Sequence, residues 1–188
     1  MSLSAVTIAL VFLSTFLFQL PIFSTGGYFN FGDIMIFTTA LTFGPVIGGI
    51  SGAVGSSLSD LLGGFGIFAP FTFVVKGLEG FLAGLISQRG LTRRTSLGRV
   101  IGSVLGWIIG SVVMVGGYFL AESFFIALVF GSSEFTGIAA ASGELPFNIL
   151  QVVAGGLVGI PLSLALRHLL KQTPYYHKLV APATSKKI

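Results

Sequence analysis

Residues 98–129 read GRVIGSVLGWIIGSVVMVGGYFLAESFFIALV, and this stretch decides the class of the chain. Arg99 and Glu122 are its only charged residues. A helix crosses the roughly 30 Å hydrocarbon core of a bilayer with about 20 apolar residues, and these 32 residues exceed that need. The excess predicts a tilted helix, or one broken near Gly116-Gly117 with an amphipathic end outside the membrane.

The rest of the chain agrees. Of 188 residues, 53% are hydrophobic and 9% charged, with mean hydropathy +0.97. Soluble domains carry about 25% charged residues, so these charges cannot clothe a water-soluble surface. Breaks at Gly, Pro, Ser and Asn clusters place spans near 3–23, 32–46, 48–63, 70–89, 98–129 and 143–171. The second and third spans look short, joined by a tight connector from Gly44-Pro45 to Gly48-Gly49. The Leu3–Phe23 stretch lacks the basic start and small-residue cleavage site of a secretory signal, and reads as the first span. The expected fold is therefore all-α, an integral membrane bundle of six transmembrane helices over residues 1–175, with a basic tail at 176–188.

Charge placement orients that bundle. Arg89, Arg93, Arg94 and Arg99 share one connector, and Arg167, Lys171, Lys178, Lys186 and Lys187 lie at or beyond the last span. Lys and Arg collect on the cytoplasmic side, so both clusters put the N- and C-termini in the cytoplasm. The loops left outside, near 24–31, 64–69 and 130–142, contain no Lys or Arg, and Asp33, Asp60, Glu122, Glu134 and Glu144 fall in or beside them. A pI near 9.7 thus reflects topology, and no nucleic-acid partner is expected.

Small residues recur at helical spacing. Gly98, Gly102, Gly106 and Gly110 form one face, and Gly44, Gly48 and Gly52 another. Such faces let backbones approach closely, the main attraction left between helices in lipid. Ala5 and Ala9 form a further small face on the first span, suited either to internal packing or to docking another membrane subunit.

Polar residues within spans are costly, about 2.5–3.5 kcal/mol for a charge at the bilayer centre. Lys76 and Glu79, three apart in the fourth span, can neutralise each other as an internal salt bridge or can touch a ligand directly. Glu144, Asn148, Gln151, Gly155 and Gly159 make one stripe on the last span, polar toward the outside and glycine-lined below. Tyr118 and Glu122 sit four apart at the same level, as do Ser56, Ser57 and Asp60 on the third span. Four helices thus direct donors and acceptors toward one outer volume that can receive a solute. Tyr28, Phe29 and Phe31 in the first outer loop, and Phe65, Phe68 and Phe71 around the second, can stack on a flat heterocycle or anchor the interface.

Several chemistries lack their residues. There is no G-x-x-x-x-G-K-[ST] phosphate loop, so ATP hydrolysis must come from elsewhere. No cysteines are present, and His168 and His177 lack neighbouring ligands, so no metal or cofactor is expected. Gly49-Ile50-Ser51-Gly52 matches the G-x-S-G of rhomboid-type proteases, with His168 the one candidate base within a span; a glycine-rich turn is the simpler reading.

Four segments together resemble the substrate-binding S component of energy-coupling-factor (ECF) vitamin transporters, particularly the riboflavin-transporter-like branch. They are Gly27-Tyr28-Phe29-Asn30-Phe31-Gly32-Asp33, Phe43-Gly44-Pro45, Lys76-Gly77-Leu78-Glu79-Gly80, and Leu145-Pro146-Phe147-Asn148-Ile149-Leu150-Gln151. The resemblance spans essentially the whole chain. It implies a prokaryotic cell-membrane protein, not an enzyme, that binds a vitamin or precursor and joins a transmembrane coupling subunit and two ATPase subunits. It also implies that Ala5 and Ala9 contact the coupling subunit, and that the first outer loop, with Tyr28 and Asn30, closes over the pocket. Lys76, Glu79, Tyr118, Glu122, Glu144, Asn148 and Gln151 complete the expected contacts. A self-sufficient channel or secondary carrier is the alternative from another class.

Overall fold

Glycine and proline mark where one helix stops and the next begins. The computed structural model describes residues 3–22, 26–88, 95–129 and 134–172. Among these are six helices, α1 Leu3–Phe16, α2 Gly32–Phe43, α3 Pro45–Gly63, α4 Ala69–Ser87, α5 Ser96–Val129 and α6 Glu134–Leu170, and two short strands, β1 Leu20–Pro21 and β2 Tyr28–Phe29. Lengths and composition suit α3, α4, α5 and α6 to crossing a membrane, while α1 and α2 are shorter apolar helices. Arg89, Arg93, Arg94 and the 176–188 tail lie outside the described residues.

The first span ends earlier than expected. Helix α1 stops at Phe16, and the chain then turns into β1, which pairs antiparallel with β2 in the register Leu20↔Phe29 and Pro21↔Tyr28. Proline has no N–H to continue a helix, and it disfavours helical geometry in the residue before it. The described residues 17–22 and 26–31 form a hairpin-like flap, with Ile22 N–H donating to Gly27 O at 2.8 Å.

The α2–α3 connection is also tighter than expected. Only Gly44 lies outside the helices, at φ 98°, a left-handed value that side chains other than glycine rarely adopt. Pro45 then opens α3 at a position where its missing N–H costs nothing. Gly48 and Gly49, expected in the connector, lie inside α3.

The break near Gly116-Gly117 does not occur. Helix α5 runs through Gly116-Gly117, and α6 begins at Glu134 and carries Pro146 and Pro161 in its interior. Membrane helices tolerate internal proline because neighbouring groups can satisfy the freed carbonyl. Much of the loop expected at 130–142 is thus the first turns of α6.

Helix α2 occupies the middle. It packs on α1, α3, α4 and α6, while α1–α3–α4–α5–α6 follow one another around it. Its residues are buried on almost every side, with Ile36, Phe37, Ala40 and Leu41 fully enclosed. Phe37, Ala40 and Leu41 meet Ala83 of α4, Met114 of α5 and Val152 of α6 in the core.

Glycine sets how closely the surrounding helices approach. Gly80 of α4 lies against the Gly48 backbone of α3, and a side chain on Gly110 of α5 would strike the Phe37 ring. Gly155 and Gly159 of α6 rest on Phe37 and the α2 backbone, as the stripe of small residues predicts. Helix α1 turns Thr7, Val11 and Thr15 inward, and Thr7 Oγ1 and Ser51 Oγ lie 2.7 Å apart. Ala5 and Ala9, about 200° around the helix from Thr7 and Val11, are exposed.

Gly80→Val forces a side chain into the α3 backbone and is expected to cost about 1–3 kcal/mol, lowering the apparent melting temperature in detergent by several degrees. Gly116→Ala has open space around the added methyl and should leave that temperature unchanged or slightly higher. Thermal unfolding followed by gel filtration checks both.

Candidate binding site

The costliest groups in the bundle meet at one point. Lys76 of α4 is buried, and its ammonium binds Asp33 of α2 and lies 3.2 Å from Glu79 Oε2. The pairing of Lys76 with Glu79 within α4 was legible from spacing. The contribution of Asp33 was not: in sequence it stands beside an outer loop, yet in the fold it is fully buried in the first turn of α2. The Lys76 Nζ also sits 5.5 Å from the centroid of the Tyr118 ring.

Above this cluster lies a partly enclosed cavity, with about 30 Å³ open to the centre of a water-sized sphere. Helix α6 contributes Glu144, Asn148 and Gln151 to its wall, and α5 contributes Tyr118, Glu122 and Met114. Lys76 and Thr72 come from α4, Ser56 and Asp60 from α3, and Thr15 from α1. The flap brings Gly27, Tyr28 and Asn30 over it, with Phe68 from the α3–α4 connection. Of the side chains singled out from sequence, Glu79 reaches Lys76 but not the cavity wall, Ser57 donates to Ala53 O within α3 instead, and Phe29, Phe31, Phe65 and Phe71 do not line the cavity. Thr15, Thr72 and Met114 were missed, because a threonine or methionine in an apolar helix carries no pattern that separates it from packing.

Hydrogen bonds pin the wall. The Tyr28 hydroxyl donates to Asp60 Oδ1 at 2.6 Å, tying the flap to α3, and its ring lies 4.4 Å from that of Phe65. Burial pushes the Tyr28 phenol above its ordinary pKa, and the charge of Asp60 pushes the same way, so the phenol keeps its proton and remains the donor. Tyr118 donates to Thr72 Oγ1 at 2.9 Å, and the Gln151 amide to Asn148 Oδ1 at 3.3 Å. Asn30 Oδ1 accepts from Gly32 N–H at 2.8 Å and helps start α2. The Glu144 carboxyl lies so close to Gly27 that a methyl there would collide with it.

Ser51, the serine of the G-x-S-G segment, is fully buried in α3 and engaged with Thr7. It packs two helices together and faces no open space.

A family model described as the S component of an ECF-type riboflavin transporter matches residues 1–168. The chain belongs to that family. Its S-component fold is further matched by a solved bacterial ECF S component, with a TM-score of 0.63 and 25% identity, covering 90% of this chain and 95% of that one. Among curated proteins, the thiamine precursor transporter HmpT of Lactococcus lactis is 30% identical over 164 residues, 87% of this chain and 84% of its own. An uncharacterized protein of Pyrococcus woesei is 38% identical over 157 residues, 84% of this chain and 94% of its own. This S component is accordingly a multi-pass membrane subunit of a transport system whose members work with an ECF module.

Lys76→Met removes the cation between Asp33 and Glu79. Breaking a buried pair costs about 3–5 kcal/mol, so the yield of monodisperse protein and its melting temperature should both fall sharply. Adding Asp33→Asn and Glu79→Gln should restore most of the loss. A single variant as stable as the parent would contradict the structural role of the cluster.

Proposed function

We propose that this S component captures a small water-soluble vitamin or vitamin precursor from the extracytoplasmic side and presents it for ATP-driven uptake. The observation that carries the reading is the cavity itself, where polar side chains from four long helices and α1 converge beneath a flap latched by the Tyr28–Asp60 hydrogen bond. Side chains this polar are expensive within a bilayer unless they are partnered or used. In this reading Tyr28, Asn30, Tyr118, Glu122, Glu144, Asn148 and Gln151 contact the ligand, and Lys76 and Glu79 form the base of the site. Family membership and the thiamine-precursor transport named for the Lactococcus lactis relative support a small heterocycle as cargo. The riboflavin branch is one possibility within that class.

The proposed setting is a prokaryotic cell membrane, with all six helices of the 1–175 domain embedded and both termini, including the 176–188 tail, cytoplasmic. The proposed partners are one transmembrane coupling subunit and two ATPases. The outward-facing Ala5 and Ala9, opposite the buried Thr7–Val11–Thr15 face, supply a flat surface for the coupling subunit.

Native mass spectrometry of the detergent-purified chain should reveal a bound vitamin-like compound, or calorimetry against a vitamin panel a dissociation constant below micromolar. Absence of both removes the binding role. Ala9→Trp should abolish copurification of the ATPase module while leaving ligand affinity within about twofold, since the substituted face is remote from the cavity. Unchanged copurification would refute the docking surface.

A further inference from the structure

Two carboxyl groups meet inside the cavity. Glu122 of α5 and Glu144 of α6 both line its wall, are 3% and 4% exposed, and hydrogen-bond to each other. An ionised carboxylate only accepts hydrogen bonds, so a bond between two carboxyls needs a proton on one of them.

The surroundings supply no substitute for that proton. The Tyr28 and Tyr118 hydroxyls are committed to Asp60 and Thr72, and the Gln151 amide hydrogen to Asn148. Lys76 of α4 is the cation in the wall, and its ammonium is held by Asp33 of α2 and by Glu79. Helix α3 adds a further acid, Asp60, while α1 adds only Thr15, and the flap adds Gly27, Tyr28 and Asn30. Asp60 Oδ2, Glu122 Oε2 and Gln151 Oε1 are buried and make no hydrogen bond, so this wall is short of donors. Two ionised carboxylates in contact here would repel each other across a medium that screens them poorly.

The pair lies directly beneath the flap. A methyl carbon on Gly27 would stand 2.7 Å from Glu144 Oε1, so the carboxyl fills the space under that residue. The next flap residue, Tyr28, carries the bond to Asp60. About 30 Å³ of open volume admits one or two waters, too few to hydrate two adjacent charges. Ionising both carboxyls therefore demands that the cover lift and water enter.

We infer that Glu122 and Glu144 share one proton that keeps the flap closed, and that losing this proton opens it. The two glutamates are then positioning residues for the flap, whatever solute occupies the cavity, which goes beyond the transport role proposed above. The sign follows from proton count. The closed state binds one proton more than the open state, so rising pH favours opening, and the ratio of open to closed chains should grow by up to about tenfold per pH unit.

The chain contains no cysteine, so a spin-label pair can be placed at will. Leu20→Cys on the flap and Phe124→Cys on α5 replace two exposed side chains. Double electron–electron resonance in nanodiscs with no ligand added, from about pH 5 to about pH 9, should show one short distance giving way to a longer one. Infrared spectra should show a protonated-carboxyl band lost with the same midpoint. Glu122→Gln and Glu144→Gln, each with an amide that donates to the remaining carboxylate and cannot ionise, should hold the short distance throughout and lack the titrating band. Melting temperature checks their folding. A distance distribution that ignores pH overturns the inference, as does opening with an unchanged carboxyl band, or an equal pH response in folded Gln variants. The first two readings need only the labelled parent chain, so they decide even where a variant fails to fold. None of them bears on whether a vitamin is the cargo.

Discussion

A lysine ammonium enclosed by carboxylates from two helices is the constraint on which the rest of this bundle depends. Lys76 cannot remain charged within a bilayer unless Asp33 and Glu79 stay beside it. That requirement fixes the level of α2 against α4. Since α2 is also the element around which α1, α3 and α6 are arranged, the ion cluster sets the height at which every other polar side chain enters. The cavity opens directly above it, with Lys76 as part of its wall.

Glycine makes that arrangement close-packed. The α3–α4 contact through Gly48 and Gly80, and the seating of Gly155 and Gly159 on α2, bring backbones near enough for dispersion to hold helices together where the hydrophobic effect has no purchase. The same closeness holds together the helices that carry the site. The flap is different: its strand pairing is internal, and two side-chain hydrogen bonds, Tyr28 to Asp60 and Gln19 to Ser59, tie it to α3. A cavity walled by packed helices under a cover held by side-chain bonds suits a subunit that must take up a solute and later release it.

The two small-residue surfaces of α1 and α6 illustrate how one pattern serves two ends. On α6 the glycines face inward and carry α2. On α1 the alanines face outward, because Thr7, Val11 and Thr15 take the inward positions and Thr7 is bonded to Ser51. Spacing alone does not separate these cases; the polar residues sharing the helix do.

Composition and periodicity determined, without any coordinates, that the chain is helical and built for a bilayer, and that Glu144, Asn148 and Gln151 share a face with glycines below them. These are local properties: charge scarcity is a sum over residues, and a helical stripe follows from 3.6 residues per turn. The element ends were less legible. Helix α1 ends at Phe16, five residues short of Pro21, while α6 runs on through Pro146, so a proline in the sequence does not by itself mark a helix end. Only the tertiary structure could decide that Asp33 leaves its outer loop to complete the Lys76 cluster, that Thr15 and Thr72 join the cavity wall, and which oxygens there are left without donors. Each of those depends on groups that are distant in sequence, such as Asp33 and Lys76, 43 positions apart, and a one-dimensional pattern holds no record of which helix a side chain will meet.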